Sequence, residues 1–276
     1  MISTADLSLA QRLADAADAI SMRYFAAGAV ATHSKADGSP VTAADHAVEQ
    51  ALRDRIDAAH PGDRVVGEEF GGHGDATRRW LIDPIDGTVN FASGRREWST
   101  LIAVEEYGEV HTGVITAPAL GRRWWASRTE GAWTSTCRAG RLGPHRPLTV
   151  TGTPTLDDAT VAIWPVADRV PQDRLDAATA LLARCDNGGP LSNWSGACQG
   201  AMLVAAGQAD VFLHLTAGPW DIAAAVPIVE EAGGRFSDLR GGRDIFGGAA
   251  VFTNGRLHTA VLEVVGREWD WRSSYR

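Results

Sequence analysis

One short stretch of the chain places two carboxylates, a glycine and a hydroxyl directly after an apolar run. The apolar run covers residues 80–82, and Asp83, Asp86, Gly87 and Thr88 follow it. Pro84 has no N–H to donate, so it would interrupt a strand there and let Asp83 and Asp86 converge on one point. Mg²⁺ prefers such oxygen ligands and leaves its other positions to water and substrate phosphate. The stretch predicts a magnesium site facing a phosphate, although an acidic turn after a strand would be the better explanation if this motif stood alone.

Three further segments contain residues that suit the same chemistry. Glu68 follows a short apolar segment, Asp45 lies three residues after Thr42 at a predicted helix start, and Asp221 lies at another helix start. Simple structural roles explain each of them singly. Thr42 and Asp45 match a capping box, and an acidic residue in a first helical turn interacts favourably with the helix dipole. Backbone N–H groups at a helix start can also bind phosphate, which we expect of Gly87 and Thr88.

The elements that must position these residues follow from hydrophobic periodicity. Helices are predicted over residues 4–27, 42–60, 172–183, 196–206, 220–232 and 257–265. Strands are predicted over residues 65–67, 80–82, 160–164, 210–215 and 250–253, with an antiparallel sheet within residues 99–135, where turn residues recur. The pattern predicts two closely packed domains. Residues 1–150 form an N-terminal α+β domain with most of the metal ligands, and residues 151–276 form an α/β domain that supplies Asp221 and the substrate-specificity residues.

Composition narrows the class of protein. The 276 residues carry a formal net charge of −8, which argues against nucleic-acid binding because such affinity depends on neutralising phosphates with basic side chains. No apolar run is long enough for a transmembrane helix, so we expect no membrane association. Three widely spaced cysteines support neither a disulfide framework nor a zinc site, and we expect a cytoplasmic location. Only one basic residue, Lys35, is a lysine.

Taken together, the motifs resemble those of the inositol monophosphatase family. The matching segments are residues 67–69, Gly-Glu-Glu; residues 83–88, Asp-Pro-Ile-Asp-Gly-Thr; and residues 220–224, Trp-Asp-Ile-Ala-Ala, in the family's order. The resemblance extends from about residue 35 to residue 254. It implies a layered α/β/α/β/α sandwich, a Mg²⁺-dependent and lithium-sensitive phosphatase that hydrolyses a small-molecule phosphate monoester, and a homodimer.

The resemblance also implies a role for each residue of the site. The metal ligands would be the side chains of Glu68, Asp83, Asp86 and Asp221 and the backbone carbonyl of Ile85. Thr88, supported by Asp45, would orient and activate the attacking water together with Glu68. The amides of Gly87 and Thr88 would hold the phosphate. Because residue types match at all these positions, we expect an enzyme; a non-catalytic protein that binds metal and phosphate is a distant alternative.

Several segments are similar to the actinobacterial histidinol-phosphate phosphatase branch of the family, among them residues 67–72, 117–126 and 253–258. Histidinol phosphate is therefore the leading substrate, with Asn90 and Trp98 expected near it. A nucleoside, sugar or inositol phosphate of another pathway is the alternative.

Two positions depart from the family pattern. His214 stands seven residues before Asp221, where relatives place a substrate-facing glutamate, and Asn193 begins a segment where relatives have an arginine. A neutral imidazole offers one donor and one acceptor but no charge to pair with an ammonium. Either both residues contact a different alcohol phosphate, or His214 is a partly buried strand residue without ligand contact.

Overall fold

The computed structural model describes residues 4–28, 31–35, 38–72, 76–138, 140–165, 170–185, 187–190 and 197–266. Its helices are α1 (Thr4–Ala26), α2 (Ala43–Ala59), α3 (Thr88–Ala92), α4 (Gln172–Leu182), α5 (Ala197–Ala205), α6 (Pro219–Ala223), α7 (Ala225–Glu231) and α8 (His258–Val265). Its strands are β1 (Thr32–Ser34), β2 (Pro40–Thr42), β3 (Arg64–Gly67), β4 (Arg78–Asp86), β5 (Ser99–Glu106), β6 (Glu109–Ala117), β7 (Arg122–Ser127), β8 (Ala132–Arg138), β9 (Arg141–Leu142), β10 (Arg146–Pro147), β11 (Thr160–Trp164), β12 (Asn187–Pro190), β13 (Val211–His214), β14 (Arg235–Ser237) and β15 (Ala250–Thr253).

The first large sheet has the strand order β10-β8-β7-β6-β5-β4-β3, with β9 paired to β8. Its pairs are antiparallel except β3 with β4, which is parallel. Successive side chains of a strand point to opposite faces. Trp80 and Ile82 of β4 accordingly pack with α1 and α2 on one face, while Leu81 joins a different apolar cluster on the other.

The second sheet has the order β12-β11-β13-β15-β14 and mixes parallel and antiparallel pairs. Phe212 of β13 and Phe252 of β15 face a cluster that also contains residues of α5, α6, α7 and the first sheet. Leu213 and Val251 face the opposite cluster with α4 and α8. The layers are therefore α1 and α2, first sheet, α5 to α7, second sheet, and α4 and α8, which confirms the predicted α/β/α/β/α sandwich.

The predicted helix over residues 220–232 is wrong in one respect, because it is divided at Ala224 into α6 and α7. Pro227 has no N–H to donate to the carbonyl of residue 223, which weakens a continuous helix there. The Ala224 carbonyl also lies against β6, where a Cβ on Gly113 would be 2.1 Å from its oxygen. A glycine on the strand therefore permits the close approach of the helix break.

The boundary proposed near residue 150 falls between the two sheets, since β10 ends at Pro147 and β11 begins at Thr160. One apolar cluster nevertheless includes Leu101 and Ile115 from the first sheet together with Phe212 from the second. The two halves thus share a core, and their division into domains stays a prediction. Among the described residues, no helix combines the length and apolar character needed to cross a bilayer.

A buried histidine at the start of α8, packed against the second sheet, gives a testable pH dependence. The His258 ring lies 3.1 Å from the Thr253 hydroxyl through Nδ1 and 3.0 Å from the Ser237 hydroxyl through Nε2. Burial, assisted by the charge of Arg235, lowers the pKa of His258 to about 4. The unfolded chain, with a histidine pKa of about 6.5, therefore binds this proton first as the pH falls.

We expect the His258 contribution to stability to be present above pH ~6.5 and to be lost as the pH falls toward 4, by at most about 3 kcal/mol. The measurement is urea unfolding of the wild type and His258→Gln at several pH values. The stability difference between the two proteins should narrow on acidification, which separates His258 from the other titrating groups. A difference that stays constant from pH 7 to pH 4 would contradict the prediction.

Candidate active site

The end of β4 carries two of the predicted metal ligands on an irregular strand. Asp83 pairs with Leu101 and Asp86 pairs with Ser99, so three steps on β4 match two on β5. The predicted interruption at Pro84 takes the form of a bulge: the pairing shifts register between Asp83 and Asp86, and β4 continues to Asp86 beyond it. A bulge bends a strand and changes the direction of its side chains.

Four of the predicted ligands come together in space. Burial and the negative charges of Glu68, Asp86 and Asp221 raise the pKa of Asp83 well above its usual value. Burial and the charges of Glu68 and Asp86 do the same to the pKa of Asp221. The Asp83 carboxyl in turn affects the pKa of Glu68 and of Asp221. The loop after β3, the end of β4 and the start of α6 therefore converge on one acidic cluster.

The cluster has the donor chemistry of a site for a hard divalent cation. Asp83 is 1% exposed, and its Oδ1 is buried without a hydrogen-bond partner. Oxygen donors with excess negative charge suit Mg²⁺. Within the described ranges, however, no three acidic, histidine or cysteine side chains already stand in a metal-holding arrangement. Like charges at short range repel one another, so an added cation would have to draw these carboxylates closer together.

Lys35 supplies a cation to the cluster, a role that the sequence analysis did not assign. Its Nζ lies 2.8 Å from Glu68 Oε1 and 2.8 Å from Glu69 Oε1. Burial by itself would lower the pKa of Lys35, but the two carboxylates outweigh it and raise the pKa. Burial raises the pKa of Glu69 to about 7 despite its bond to Lys35. The one feature of the sequence that could have indicated this role is that Lys35 is the only lysine of the chain.

Asp221 is held by the start of its own helix. Its Oδ2 accepts a hydrogen bond of 2.7 Å from the Gly218 backbone N–H, three residues earlier. Pro219 occupies the first turn of α6, where the missing N–H costs nothing. The predicted structural role of Asp221 in a first helical turn is confirmed, and the same turn directs this residue toward Asp83 and Glu68 from the C-terminal half.

Asp45 combines the capping role and the contact that the sequence suggested. Its Oδ2 accepts a hydrogen bond of 2.9 Å from the Thr42 backbone N–H. The Thr42 hydroxyl accepts one of 3.1 Å from the Ala44 N–H, which completes the capping box of α2. Its Oδ1 lies 3.3 Å from the Thr88 hydroxyl, which is also 3.1 Å from the Ile85 carbonyl. The cap therefore fixes Asp45 beside Thr88.

A helix begins after the acidic stretch, which is the condition under which the backbone N–H groups of Gly87 and Thr88 could face a phosphate. Gly87 adopts a φ of 89°, a left-handed conformation that favours glycine, and α3 follows from Thr88. The Gly87 carbonyl accepts bonds of 2.9 Å from the Asn90 N–H and 3.1 Å from the Phe91 N–H. The turn brings Thr88 back toward Ile85 within three residues, which explains the short contact between them.

The substrate-facing residues that we predicted are buried where the structure describes them. Asn90 is fully buried, and its side-chain nitrogen donates a hydrogen bond of 2.6 Å to the Glu97 carbonyl. Trp98 is fully buried, with its ring 4.9 Å from that of Phe91 in an edge-on contact. Both side chains shape the loop beside α3, and their contact with substrate stays a prediction. Asn193 lies outside the described residues.

His214 lies on β13 and is 2% exposed. Its ring is 5.7 Å from that of Phe212, and burial lowers the pKa of His214 to about 3. The imidazole is therefore neutral at physiological pH. This placement favours the alternative in which His214 is a buried strand residue.

Known proteins resemble this chain over nearly its whole length. Residues 4–270 match the model of the inositol monophosphatase family. The chain is 40% identical to a histidinol-phosphatase of Streptomyces coelicolor, covering 96% of this chain and 98% of that one. It is 40% identical to a histidinol-phosphatase of Mycobacterium tuberculosis, covering 93% and 96%.

A solved structure extends the likeness to three dimensions. The Thermotoga maritima IMPase matches with a TM-score of 0.78 at 28% identity, covering 96% of this chain and 98% of that chain. The motifs and the five-layer fold agree with these matches. The chain belongs to the inositol monophosphatase family.

Proposed function

We propose that this protein is a Mg²⁺-dependent phosphatase that hydrolyses histidinol phosphate. The observation that carries the proposal is the buried acidic cluster around Asp83, with its unpartnered Oδ1, directly beside the Thr88–Asp45 pair. A cluster of this charge calls for a cation, and the neighbouring hydroxyl supplies a group that can orient a water. The family membership and the 40% identity to histidinol-phosphatases support the reaction and the substrate.

Glu68, Asp83, Asp86, Asp221 and the carbonyl of Ile85 would hold the metal. When bound, Mg²⁺ supplies Lewis-acid activation of a water and neutralises charge on the phosphoryl oxygens. In the present structure the Ile85 carbonyl accepts from the Thr88 hydroxyl, and Glu68 accepts from Lys35. Both oxygens would exchange these hydrogen-bond partners for the ion.

Thr88 would orient the attacking water. Its single hydroxyl proton faces the Asp45 carboxylate or the Ile85 carbonyl, which leaves its lone pairs to accept a hydrogen bond from water. Glu68 would accept the other proton of that water. The backbone N–H groups of Gly87 and Thr88 would bind the phosphate at the start of α3. Most of the catalysis is then positioning and charge stabilisation, as is general for phosphoryl transfer.

A nucleoside, sugar or inositol phosphate is the second candidate substrate, and the observation that favours it is that residue 214 is a histidine and not the glutamate of relatives. Histidinol phosphate carries an ammonium, and a neutral imidazole at this position offers no charge to pair with it. We further propose a cytoplasmic homodimer that is inhibited by lithium, on the strength of the family resemblance. Light scattering of the purified chain tests the dimer, and a lithium titration of its activity tests the inhibition.

The test of the proposed function is phosphate release with Mg²⁺ from a panel of esters. The panel contains histidinol phosphate, inositol 1-phosphate, fructose 1,6-bisphosphate, adenosine 3′,5′-bisphosphate and several nucleoside monophosphates. We expect kcat/KM for histidinol phosphate to exceed every other value at least about tenfold, and chelation by EDTA to remove all turnover. Strong turnover of another ester with weak turnover of histidinol phosphate would replace the leading substrate, and no turnover of any would contradict the phosphatase.

Substitution of His214 separates the two explanations of this residue. Because the ring is buried and neutral, we expect His214→Glu to lower stability by roughly 2 kcal/mol and to leave the ratio of histidinol phosphate to inositol 1-phosphate turnover unchanged. His214→Gln, which adds no charge, is the matched control. Chemical unfolding and kcat/KM for both esters are the measurements. A tenfold change of the ratio in His214→Glu alone would place residue 214 in the substrate pocket.

A further inference from the structure

A second carboxylate on α2 contacts the loop that carries Glu68. Glu49 lies one helical turn after Asp45 and is fully buried. Its Oε2 accepts a hydrogen bond of 2.8 Å from the Glu69 backbone N–H, and its Oε1 accepts one of 3.0 Å from the Phe70 N–H. The carboxylate therefore binds the two amides that directly follow Glu68.

The next turn of the helix completes this contact. Arg53 Nε donates a hydrogen bond of 2.9 Å to Glu49 Oε1, and the other guanidinium nitrogens donate hydrogen bonds to the carbonyls of Val65 and Gly71. The guanidinium thus balances the buried charge of Glu49 and joins both ends of the loop. The loop is also closed by a bond of 3.0 Å from the Gly67 N–H to the Gly71 carbonyl.

Gly67 is explained by the same carboxylate. A Cβ at this position would lie 2.1 Å from Glu49 Oε1 and 2.4 Å from Glu49 Cδ, far inside contact distance. Gly67 does not have a positive φ, so conformational freedom does not account for the glycine. The Gly-Glu-Glu motif therefore begins with glycine because the side chain of Glu49 passes against its backbone.

We propose that Glu49 is a positioning residue for the metal ligand Glu68. The loop places Glu68 next to Asp83, and the Glu68 N–H lies 3.3 Å from the Ile82 carbonyl at the end of the neighbouring strand. The Glu49 carboxylate, itself paired with Arg53, holds the backbone amides of Glu69 and Phe70. These bonds fix the backbone position from which the Glu68 side chain extends. Groups that orient a ligand from behind typically change metal affinity 10- to 100-fold when they are removed. The inference rests on the proposed function.

The test compares Glu49→Gln with Asp210→Asn. Asp210 is also a buried carboxylate that accepts a backbone bond, 2.8 Å from the Thr160 N–H, but it lies beside the second sheet. Calorimetric titration of each protein with Mg²⁺ gives the dissociation constant without any turnover. We expect it to rise at least about tenfold in Glu49→Gln and less than twofold in Asp210→Asn, although both variants melt at a lower temperature.

A second variant covers the case in which Glu49→Gln does not fold. Gly67→Ala leaves Glu49 in place but drives a methyl group into its carboxylate, and we expect the same rise of the Mg²⁺ dissociation constant. Hydrogen exchange of the peptide that contains Glu69 and Phe70 should be faster in Glu49→Gln and unchanged in Asp210→Asn.

The outcomes separate this inference from the proposed function. A wild type that neither binds Mg²⁺ nor releases phosphate would overturn the proposed function and the inference with it. A wild type that does both, beside Glu49→Gln or Gly67→Ala with an unchanged Mg²⁺ dissociation constant, would overturn the inference alone.

Discussion

Asp86→Asn is expected to lower Mg²⁺-dependent phosphate release at least about 1,000-fold, which corresponds to ~4 kcal/mol of lost transition-state stabilisation. Asp86 is 7% exposed and close enough to Asp83 for its charge to raise the pKa of that carboxyl. The amide has nearly the same size as the carboxylate, so the fold should persist. The loss of one negative charge weakens the attraction for the cation.

The same substitution should not destabilise the metal-free protein. Asp86→Asn removes one of several carboxylates that repel one another, so the repulsion on Asp83 is reduced. We therefore expect the melting temperature of the metal-free protein to stay unchanged or to rise. The measurement is the melting temperature with and without Mg²⁺. The increase caused by Mg²⁺ in the wild type should be absent in Asp86→Asn.

A matched control for Asp86→Asn is Asp158→Asn. Asp158 is an exposed carboxylate that accepts 2.7 Å from the Thr155 hydroxyl, and it lies in the second half of the chain. We expect wild-type turnover and a wild-type response to Mg²⁺ from this variant. Asp86→Asn with the turnover of the control would show that the metal assignment at Asp86 is wrong.

Thr88→Ala is expected to lower kcat about 100-fold while changing the Mg²⁺ dissociation constant and phosphate inhibition less than about threefold. The hydroxyl contacts Asp45 and Ile85, so its removal takes away the group that would orient the water. The backbone N–H groups proposed to hold the phosphate remain. Initial rates at saturating Mg²⁺, together with inhibition by inorganic phosphate, give the two quantities.

The control for Thr88→Ala is Thr88→Ser, which keeps the hydroxyl and removes only a methyl group. We expect Thr88→Ser to retain kcat within about tenfold of the wild type. If Thr88→Ser were as slow as Thr88→Ala, packing and not the hydroxyl would account for the loss. If Thr88→Ala kept the wild-type kcat, the proposed role of Thr88 would be wrong.

The sequence was sufficient for most of the local structure of this protein. Strand and helix periodicities identified β11 at residues 160–164 and β15 at residues 250–253 with the bounds that the structure has. The capping box of α2 was also predicted correctly. These features depend on side chains within a few residues of one another, so their physical causes are contained in short segments.

The family resemblance supplied the five-layer order, which periodicity does not contain. The side chains of β4 alternate between two apolar clusters, but the pattern alone does not say which helices cover each face. The division at Ala224 was missed although Pro227 was visible, because a helix pattern tolerates such interruptions until the close approach to Gly113 is known.

What the tertiary structure decided is which charges meet and which side chains lose contact with water. It brings Asp221 to Glu68 and Asp83 from more than 130 residues away along the chain, sets Lys35 against Glu68, and places Glu49 behind the Gly67 backbone. It also buries Trp98, which we expected near the substrate, and His214, for which the sequence left substrate contact and a buried strand position both open. Burial and electrostatic repulsion depend on distances in the folded chain, and residue type and local spacing do not specify those distances.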